Sequence, residues 1–443
     1  MTNPSSIKSL AHSMKQLQDE CAPCTRCGMC QATCPLFEAT GKETDTARGK
    51  LAIIYGIMEG ILSDATRVSE KINRCLLCGS CATKCPRNIR PHEIIIRARS
   101  ILTEYMGLSS IHKIIFRFFL ARPDRFDKLA ELGAKGQNMI RVKKDKASKR
   151  EFSKLFAPFL SSRFIKPLSP HPFHQLKNTI YDHTQNEETG RKKIRVALFT
   201  GCLIDKLYPE TGISSYKVLI QSGMDVYIPD HQGCCGMPSL ASGDMNSFKK
   251  LVLHHLALFP TTEFDYCVSA CATCSSTIKY LWPSVMRNEP PDIQRKIAVL
   301  ASKTVDICQL VCTLKKVENK PDAYKNAIPV TYHAPCHQRK SFGIEKEPLL
   351  LIKENPHYQL VEMENADTCC GFGGSFNLKY HDISSEIGMK KRASILKTGA
   401  KKVITGCPAC MIQLQDIFNK NGDDISVVHI MDIVSETVLK DKT

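Results

Sequence analysis

The sequence predicts an α+β protein of several domains, in which a helical module is followed by two tandem α/β lobes with parallel sheets. Three observations lead to this prediction. A four-cysteine motif occurs twice within the first 90 residues, on either side of an amphipathic segment. From residue 194 onward, short runs rich in β-branched residues alternate with helical stretches. In the same half a second cysteine pattern also occurs twice, so the two lobes are expected to have a pseudo-twofold relation.

The first predicted domain, residues 1–100, contains two copies of C-x2-C-x2-C-x3-C-P that lie 51 residues apart. Bacterial ferredoxins use this spacing to hold [4Fe–4S] clusters. Between the copies, apolar residues recur at helical spacing from Leu51 to Leu62, a longer spacer than a minimal ferredoxin has. We therefore expect an α-helical ferredoxin domain with two cubane clusters.

In two-cluster ferredoxins the fourth cysteine of each motif binds the other cluster. The same rule predicts two crossed ligand sets in this chain. The first cluster is expected on Cys24, Cys27, Cys30 and Cys85. The second cluster is expected on Cys75, Cys78, Cys81 and Cys34. Such crossing joins the two halves of the module and keeps the clusters close enough for electron tunnelling.

The second predicted domain, residues 101–193, is helical and increasingly basic, and it ends in a polar linker. One helical face is apolar and lies beside Lys113 and Arg117; its residues are Ile111, Ile114, Ile115, Phe118 and Phe119. This face fits a core, a partner-facing surface or a helix at a membrane interface. Residues 141–166 contain nine Lys or Arg, which fits a solvated linker or docking to an acidic partner or to anionic lipid.

The third and fourth predicted domains, residues 194–320 and 321–443, are the two lobes, and each contains five cysteines in the order C, CC, CxxC. The first copy comprises Cys202, Cys234, Cys235, Cys271 and Cys274, and the second comprises Cys336, Cys369, Cys370, Cys407 and Cys410. Corresponding cysteines are separated by 134 to 136 residues. Ligands that follow strands converge at the carboxyl edge of a parallel sheet. Gly236 and Gly371, directly after each cysteine pair, are expected to permit a sharp turn.

Five sulfur ligands in each lobe exceed the four ligands that zinc normally takes. Iron–sulfur clusters are therefore the favoured interpretation for the lobes, and zinc sites or buried thiols are the alternatives. Four further cysteines have no place in these patterns and are expected to be structural; they are Cys21, Cys267, Cys308 and Cys312. His231, His333 and His337 lie near cysteines in the sequence and are expected to support ligands or to lie on the surface.

The paired four-cysteine motifs, with Thr46-Ala-Arg-Gly-Lys50 between them, resemble the iron–sulfur subunit of glycolate oxidase and of respiratory lactate dehydrogenases. The C-x31-CCG-x34-CxxC pattern and its repeat resemble the CCG domains of that family. Similar domains occur in heterodisulfide reductase and in the iron–sulfur subunit of anaerobic glycerol-3-phosphate dehydrogenase. The resemblance extends from Cys21 to about residue 435. It implies one or two further clusters in the CCG lobes, which in heterodisulfide reductase are noncubane [4Fe–4S] clusters on five cysteines.

The resemblance also implies a function, that of the iron–sulfur electron-transfer subunit of a lactate or glycolate dehydrogenase complex. A separate subunit would bind FAD and oxidise the 2-hydroxy acid, and this chain would pass the electrons to a quinone, a cytochrome or another carrier. One alternative is disulfide reduction at a CCG cluster, as in heterodisulfide reductase. A second is a membrane-docked relay to quinone, as in anaerobic glycerol-3-phosphate dehydrogenase. The chain itself is expected to contain no catalytic residues for an organic substrate.

The composition argues against several other functions. There is no apolar run of membrane-spanning length and no signal-peptide core, so the cytoplasm or the inner face of the cytoplasmic membrane is the expected location. In that reducing compartment, 22 cysteines indicate metal binding rather than disulfides. No Rossmann or P-loop glycine motif is present. Although the net charge is +17, no aromatic-interleaved basic surface indicates nucleic-acid binding.

Overall fold

The computed structural model describes residues 4–139, 166–181, 194–315 and 326–438. Their contacts divide the chain into two compact units. The first consists of Met1–Ala121, Gly236–Lys250 and Gly371–Met389, and the second of Arg122–Cys235, Leu251–Cys370 and Lys390–Thr443. Nearly all of the predicted basic run and most of the predicted linker lie outside the described residues. The predicted division into four domains stays a prediction.

The first unit is helical, as predicted for the amino-terminal module. It also includes two segments from the carboxy-terminal half of the chain, which the sequence did not indicate. Its helices are Pro4–Lys15, Gln18–Cys21, Met29–Ala32, Pro35–Thr40, the 3-10 turn Glu43–Asp45, Ala47–Met58, Ala65–Asn73, Ser80–Thr83, Pro91–Met106, Ser110–Lys113, the π-helical Ile114–Leu120, Met237–Ala241 and Ser375–Lys379. Two more helices, Met245–Leu258 and His381–Leu396, continue from this unit into the second.

The helix between the two cysteine motifs is Ala47–Met58. Thr46 caps it, because its Oγ1 accepts a hydrogen bond from the amide three residues later at 3.0 Å. The predicted continuation of the apolar face through Ile61 and Leu62 is wrong. The helix ends before them and Gly60 turns the chain at a φ of 71°, so that Ile61 is 77% exposed.

The apolar face predicted near residue 115 lies on Ser110–Lys113 and the π-helical turn Ile114–Leu120. Phe116 and Leu120 are buried and anchor this segment in the first unit. The core interpretation is wrong for most of the predicted face, since four of its five side chains are exposed: Ile111, Ile114, Ile115 and Phe118. Within the described part of the chain, no helix has both the length and the apolar character needed to span a bilayer.

The second unit contains one parallel sheet in each lobe, as predicted. The strands are β1 Arg195–Leu198, β2 Asp225–Tyr227, β3 Tyr266–Val268, β4 Ile328–His333, β5 Tyr358–Leu360, β6 Lys402–Thr405 and β7 Ser426–His429. The first sheet has the order β2-β1-β3 and the second has the order β5-β4-β6-β7. Three strands of each lobe therefore share one arrangement, so the sequence repeat is also a repeat of structure.

Two elements differ from the sequence prediction. Strand β7 was not predicted, because it is a half-buried run of only four residues. At the corresponding edge, the first lobe has a single parallel bridge between Cys267 and Thr304. The helical pattern of residues 239–258 in the sequence is interrupted in the structure at Gly243, whose φ is 79°.

Helices surround both sheets and join the lobes through one hydrophobic core. They are Pro123–Met139, Phe173–Tyr181, Cys202–Leu207, Pro209–Gln221, Ala272–Ser276, the π-helical Thr277–Leu281, Trp282–Val285, Pro291–Lys303, Ile307–Lys315, the π-helical His337–Phe342, Glu347–Lys353, Pro408–Asn421 and Ile430–Val438. Pro209–Gln221 packs on Ile430–Val438, and Thr211 Oγ1 donates to Asp432 Oδ2 at 3.0 Å. Each large apolar side chain in this core contributes about 1.5–3 kcal/mol.

Candidate metal centres

All 22 cysteines lie within the described residues, and none of them forms a disulfide. The eight cysteines of the amino-terminal motifs line two cavities in the first unit. One cavity is lined by Cys24, Cys27, Cys30, Cys81 and Cys85. The other is lined by Cys34, Cys75, Cys78 and Cys81. The fourth cysteine of each motif thus lies at the cavity formed mainly by the other motif, which is the arrangement that crossed ligand sets require.

The two cysteine loops have the same backbone conformation. Arg26 and Leu77 occupy equivalent positions and are left-handed, at φ values of 54° and 56°. Gly28 and Gly79 are also equivalent, at φ values of 86° and 76°. A left-handed residue with a side chain costs about 1–2 kcal/mol. In the second loop this conformation accompanies a hydrogen bond from the Leu77 amide to Cys75 Sγ at 3.4 Å.

The Thr46–Lys50 segment contains a closely packed glycine and places one cation at each cavity. Gly49 is required by close packing, because an added Cβ would lie 2.1 Å from the Glu43 carbonyl oxygen. Arg48 lines the first cavity, and its Nη2 donates to Gln31 Oε1 at 3.0 Å. Lys50 lines the second cavity. The segment therefore gives each cavity one basic side chain.

Lys50 is a buried cation, only 1% exposed. Its Nζ donates to the carbonyl oxygens of Asp45 and Thr44 at 2.7 and 3.0 Å. The Asp45 carboxylate pairs with Arg74 at 2.8 Å. Burial lowers the pKa of Lys50, and the negative charges of Cys75 and Asp45 oppose that shift. The ammonium group thus lies in a low-dielectric region beside the second cavity.

Arg99 is a second buried cation near the same motif. Its guanidinium donates to four carbonyl oxygens at 2.7–3.3 Å, those of Ile72, Asn73, Cys75 and Ala241. Burial lowers the pKa of Arg99, and the charge of Cys75 opposes this shift. The side chain therefore fixes the backbone that leads into the second motif and adds positive charge beside it.

Burial favours the protonated form of two thiols in this unit, Cys34 and Cys81. Burial raises the pKa of Cys34 to about 12 and raises the pKa of Cys81 well above its usual range. Metal binding requires thiolates, so it releases protons at these positions. Cavities lined by four or five thiols and flanked by basic side chains fit iron–sulfur clusters, whose cores with four thiolates are anionic.

The cysteines of the first lobe form a connected group. Cys234 lies within hydrogen-bonding reach of Cys202 and Cys235. Cys274 lies within reach of Cys235 and Cys271. Cys202 begins a helix shortly after β1, and Cys271 precedes a helix shortly after β3. These two cysteines lie at the carboxyl ends of parallel strands, as the sequence predicts.

In the second lobe, the sulfur atoms of Cys370 and Cys410 are 3.5 Å apart. Cys407 precedes the helix Pro408–Asn421, and proline suits the first position of a helix. Hydrogen bonds with Cys271 and Cys410 hold the pKa of Cys407 well below its usual range, although burial opposes them. The cysteine groups of the two lobes therefore meet at Cys271 and Cys407.

The glycine that follows each cysteine pair is left-handed, as predicted for a sharp turn. Gly236 and Gly371 both have a φ of 92°. An added Cβ at Gly371 would lie 2.7 Å from the Ser384 carbonyl oxygen. The same restriction applies before Cys202, because Gly201 has a φ of 71° and an added Cβ would lie 2.9 Å from the sulfur of Cys274.

The remaining predicted ligands and the other cysteines are also located. Cys336 immediately precedes the π-helical turn after β4, and Cys369 is buried. The four cysteines outside the motifs line neither cavity of the first unit; they are Cys21, Cys267, Cys308 and Cys312. The first three are buried, and Cys312 Sγ donates to the Glu347 carbonyl at 3.4 Å. Their structural role stays a prediction.

The three histidines noted in the sequence have different surroundings. His231 is exposed and contacts Asp124 at 3.1 Å. His337 Nδ1 and Thr273 Oγ1 are 3.0 Å apart. His333 is fully buried, and one of its ring nitrogens lies within 4.8 Å of the sulfur atoms of two cysteines. This last grouping was missed, because the three residues are far apart in the chain.

Known proteins match the chain over most of its length. Residues 20–89 match the 4Fe-4S dicluster domain, and residues 196–279 and 330–415 match the cysteine-rich domain CCG. A probable glycolate oxidase iron–sulfur subunit of Bacillus subtilis (strain 168) is 25% identical over 98% of both chains. Lactate utilization protein A of Exiguobacterium sp. is 32% identical over 55% of this chain and 98% of its own. A fumarate reductase (CoM/CoB) subunit of Methanothermobacter marburgensis is 30% identical over 54% of this chain and 46% of its own.

The family matches and the grouped cysteines lead to one chemical conclusion. The chain binds iron–sulfur clusters, with one region of the dicluster type and two cysteine-rich regions. Thiols are the main metal donors at both cavities of the first unit and in the connected groups of the lobes. Such donors suit iron–sulfur clusters.

Proposed function

The chain belongs to the family of iron–sulfur proteins that contains the glycolate oxidase iron–sulfur subunit and lactate utilization protein A, and from this premise we propose that it carries electrons within a flavin-dependent 2-hydroxy-acid dehydrogenase complex. The proposed donor is the FAD of a partner subunit that oxidises lactate or glycolate. The proposed acceptor is a quinone, a cytochrome or another carrier. The observation that carries this proposal is the pair of cysteine-lined cavities that share Cys81.

Two cavities that share a lining residue suit a two-electron donor. A reduced flavin must be oxidised in two single-electron steps when its acceptors are iron–sulfur clusters. We assign one cubane cluster to Cys24, Cys27, Cys30 and Cys85, and the other to Cys75, Cys78, Cys81 and Cys34. The cysteines that line each cavity support this assignment, because each set lies wholly at one cavity.

The positive charges around the second cavity would stabilise the reduced form of a cluster bound there, because reduction makes the cluster more negative. When bound, iron–sulfur clusters accept and release single electrons at potentials set by nearby charge, burial and hydrogen bonds. Lys50 and Arg99 place buried positive charge beside this cavity, and the Leu77 amide donates to Cys75. Three cations line the first cavity, Arg26, Arg48 and Arg87, and all are exposed or partly exposed and therefore more strongly screened. The second cavity is thus the proposed higher-potential site.

We further propose one or two clusters in the CCG lobes, of cubane or noncubane type. Their ligands would be Cys202, Cys234, Cys235, Cys271 and Cys274 in the first lobe, and Cys336, Cys369, Cys370, Cys407 and Cys410 in the second. The contacts among these cysteines support the proposal. The contact between Cys271 and Cys407 would bring ligands of the two lobes together, which suits transfer between them.

The proposed function predicts that a 2-hydroxy acid reduces the chain only through a flavoprotein. The tagged chain is isolated without oxygen from its native cells, together with any chain that binds it. Addition of lactate or glycolate is expected to bleach the visible absorption of the clusters when the flavoprotein is present. The purified chain alone should show no bleaching. A 3-hydroxy acid serves as the control, because it lacks the hydroxyl group next to the carboxylate.

Three outcomes of this experiment are informative. Bleaching by lactate or by glycolate identifies the substrate. The absence of bleaching by either acid, in a complex that contains flavin and intact clusters, would contradict the proposal. Thiol-dependent turnover of a disulfide by the chain alone would instead favour the heterodisulfide-reductase-like alternative.

A second candidate function is a relay to quinone at the membrane, and the exposed apolar face of Ser110–Leu120 favours it. Ile114, Ile115 and Phe118 are about half exposed, and Lys113 lies among them. Apolar side chains next to basic ones suit the surface of a bilayer that contains anionic lipids. This face would place the chain at the inner surface of the cytoplasmic membrane.

The membrane candidate predicts that polar residues on this face abolish lipid binding. The double variant Ile115→Gln, Phe118→Gln is compared with the native chain in co-sedimentation with vesicles of phosphatidylglycerol and phosphatidylcholine. We expect at least a tenfold loss of binding, because two large apolar side chains contribute about 3 kcal/mol when buried in lipid. Ile61→Gln is the matched control, since Ile61 is also exposed in the same unit. Equal binding by the native chain and the double variant would exclude this face as the contact.

A further inference from the structure

His333 is the last residue of β4, and its side chain is completely buried. Neither ring nitrogen makes a well-formed hydrogen bond with any residue in the described part of the chain. A buried polar group without a partner costs about 1–3 kcal/mol. The Ala366 carbonyl engages one ring nitrogen at most, so a second nitrogen is available to a ligand.

The nearest candidate ligands to His333 are cysteines of the second lobe. One ring nitrogen and the sulfur atoms of Cys370 and Cys410 all lie within 4.8 Å of one another. The two sulfur atoms are 3.5 Å apart. Metal–sulfur and metal–nitrogen bonds of about 2.0–2.3 Å place the donors of one metal atom roughly 4 Å apart. The three donors are thus close to the spacing that a shared metal atom requires.

The imidazole is fully buried, and the side chain of Lys391 lies near it in the same lobe. Lys391 is itself buried, and its Nζ donates to the carbonyl oxygens of Asn365 and Ala366 at 2.6 and 3.3 Å. A neutral imidazole has a free lone pair on one nitrogen, which is the donor in metal sites.

The first lobe lacks this donor. The sequence repeat places Phe199 at the position of His333, and the buried His255 lies beside Phe199. The two rings pack together with their centres 4.9 Å apart. Both nitrogens of His255 have backbone partners, since Nε2 accepts from the Gly233 amide at 3.1 Å and Nδ1 lies 2.7 Å from the Leu251 carbonyl. The two lobes therefore differ in chemistry at equivalent positions.

We propose that His333 coordinates iron in the second lobe together with cysteines of that lobe. This inference rests on the proposed function, in which the lobe holds an iron–sulfur cluster. A neutral imidazole makes a cluster less negative than a thiolate does, and histidine ligation raises the potential of Rieske centres for this reason. The second lobe is therefore expected to be reduced more easily than the first.

The test is pulsed electron paramagnetic resonance on protein labelled with 15N in its histidines only. In the oxidation state in which the second-lobe cluster is paramagnetic, we expect a 15N coupling of the strength seen for a directly bound imidazole. His333→Phe, which copies the first lobe, should lose this coupling. His333→Cys should lose the coupling but keep the iron, and should shift the midpoint potential to a more negative value. The second variant guards against a loss of folding in the first.

His429→Gln is the matched control. His429 is also buried in the second lobe, and its Nδ1 accepts a hydrogen bond from the Met431 amide at 3.1 Å. The proton of the neutral ring is then on Nε2, so this histidine is not available as a ligand. The control should keep the 15N coupling of the native protein.

A further variant separates this inference from the function on which it rests. Cys369→Ser, Cys370→Ser should remove the iron of the second lobe and leave the two clusters of the first unit. If that iron is lost as expected but the native protein shows only weak 15N coupling, His333 is not a ligand and the proposed function stands. If the double variant keeps all of its iron, the lobe binds no cluster, and both proposals fail for this lobe.

Discussion

Replacing Cys85 by alanine is expected to remove the cluster bound by the first cysteine motif, although Cys85 belongs to the second. The physical reason is the position of the side chain, which lines the cavity of Cys24, Cys27 and Cys30. A cubane cluster that loses one of four thiolate ligands is no longer held securely. Iron and acid-labile sulfide, measured per chain in anoxic protein, should fall by the content of one cluster.

Double variants make this test independent of which cluster is observed. If the ligand sets are crossed, Cys24→Ala, Cys85→Ala removes one cluster, because both residues serve the same site. Cys24→Ala, Cys34→Ala removes two clusters. Uncrossed ligand sets would give the opposite result, with the second pair losing only one. Cys21→Ala is the matched control, since Cys21 lies three residues before the first motif but outside both cavities.

Lys50→Met is expected to destabilise the first unit by about 3 kcal/mol, because it leaves two buried carbonyl oxygens without their donor. The carbonyls are those of Thr44 and Asp45, which Nζ contacts at 3.0 and 2.7 Å. The Asp45 carboxylate retains Arg74, and for this reason the loss is smaller than for a buried charge with no partner. Chemical denaturation of anoxic protein measures the change in the free energy of unfolding.

A second measurement on the same variant reports on the second cavity. Removal of the buried ammonium should shift the midpoint potential of the cluster bound there to a more negative value. Lys42→Met is the control, because Lys42 is exposed near the same helix. A Lys50→Met protein with the stability and potential of the native chain would show that this cation has neither role.

The sequence alone was sufficient to predict those sites in which the chemistry of the bound group fixes the spacing of the ligand residues. Ligand spacing around a cluster is rigid, so the two four-cysteine motifs could be recognised without a structure. The repeated cysteine pattern likewise predicted two lobes, whose strands do share one order. The left-handed turns at Gly236 and Gly371 were also predictable, because glycine is the residue that adopts a positive φ without steric cost.

Most of the features that the sequence did not predict depend on contacts between distant residues. Nothing in the local pattern around His333 indicates that Cys370 and Cys410 lie beside it. The Thr46–Lys50 segment was noted in the sequence only because it resembles a family. The structure explains why these residues occur there, through the close packing of Gly49 and the burial of Lys50. Strand β7 was missed because four residues carry too little periodicity to be distinguished from a loop.

The guanidinium of Arg99 has a consequence for biosynthesis. It binds the backbone before the second motif and also the carbonyl of Ala241, which is made 142 residues later. The last segment of the same unit is Gly371–Met389. A ribosome therefore completes this unit only after most of the protein has been translated. The eight thiols of the two amino-terminal motifs must stay reduced until then, and maturation factors that deliver iron are expected to act on a nearly finished or released polypeptide.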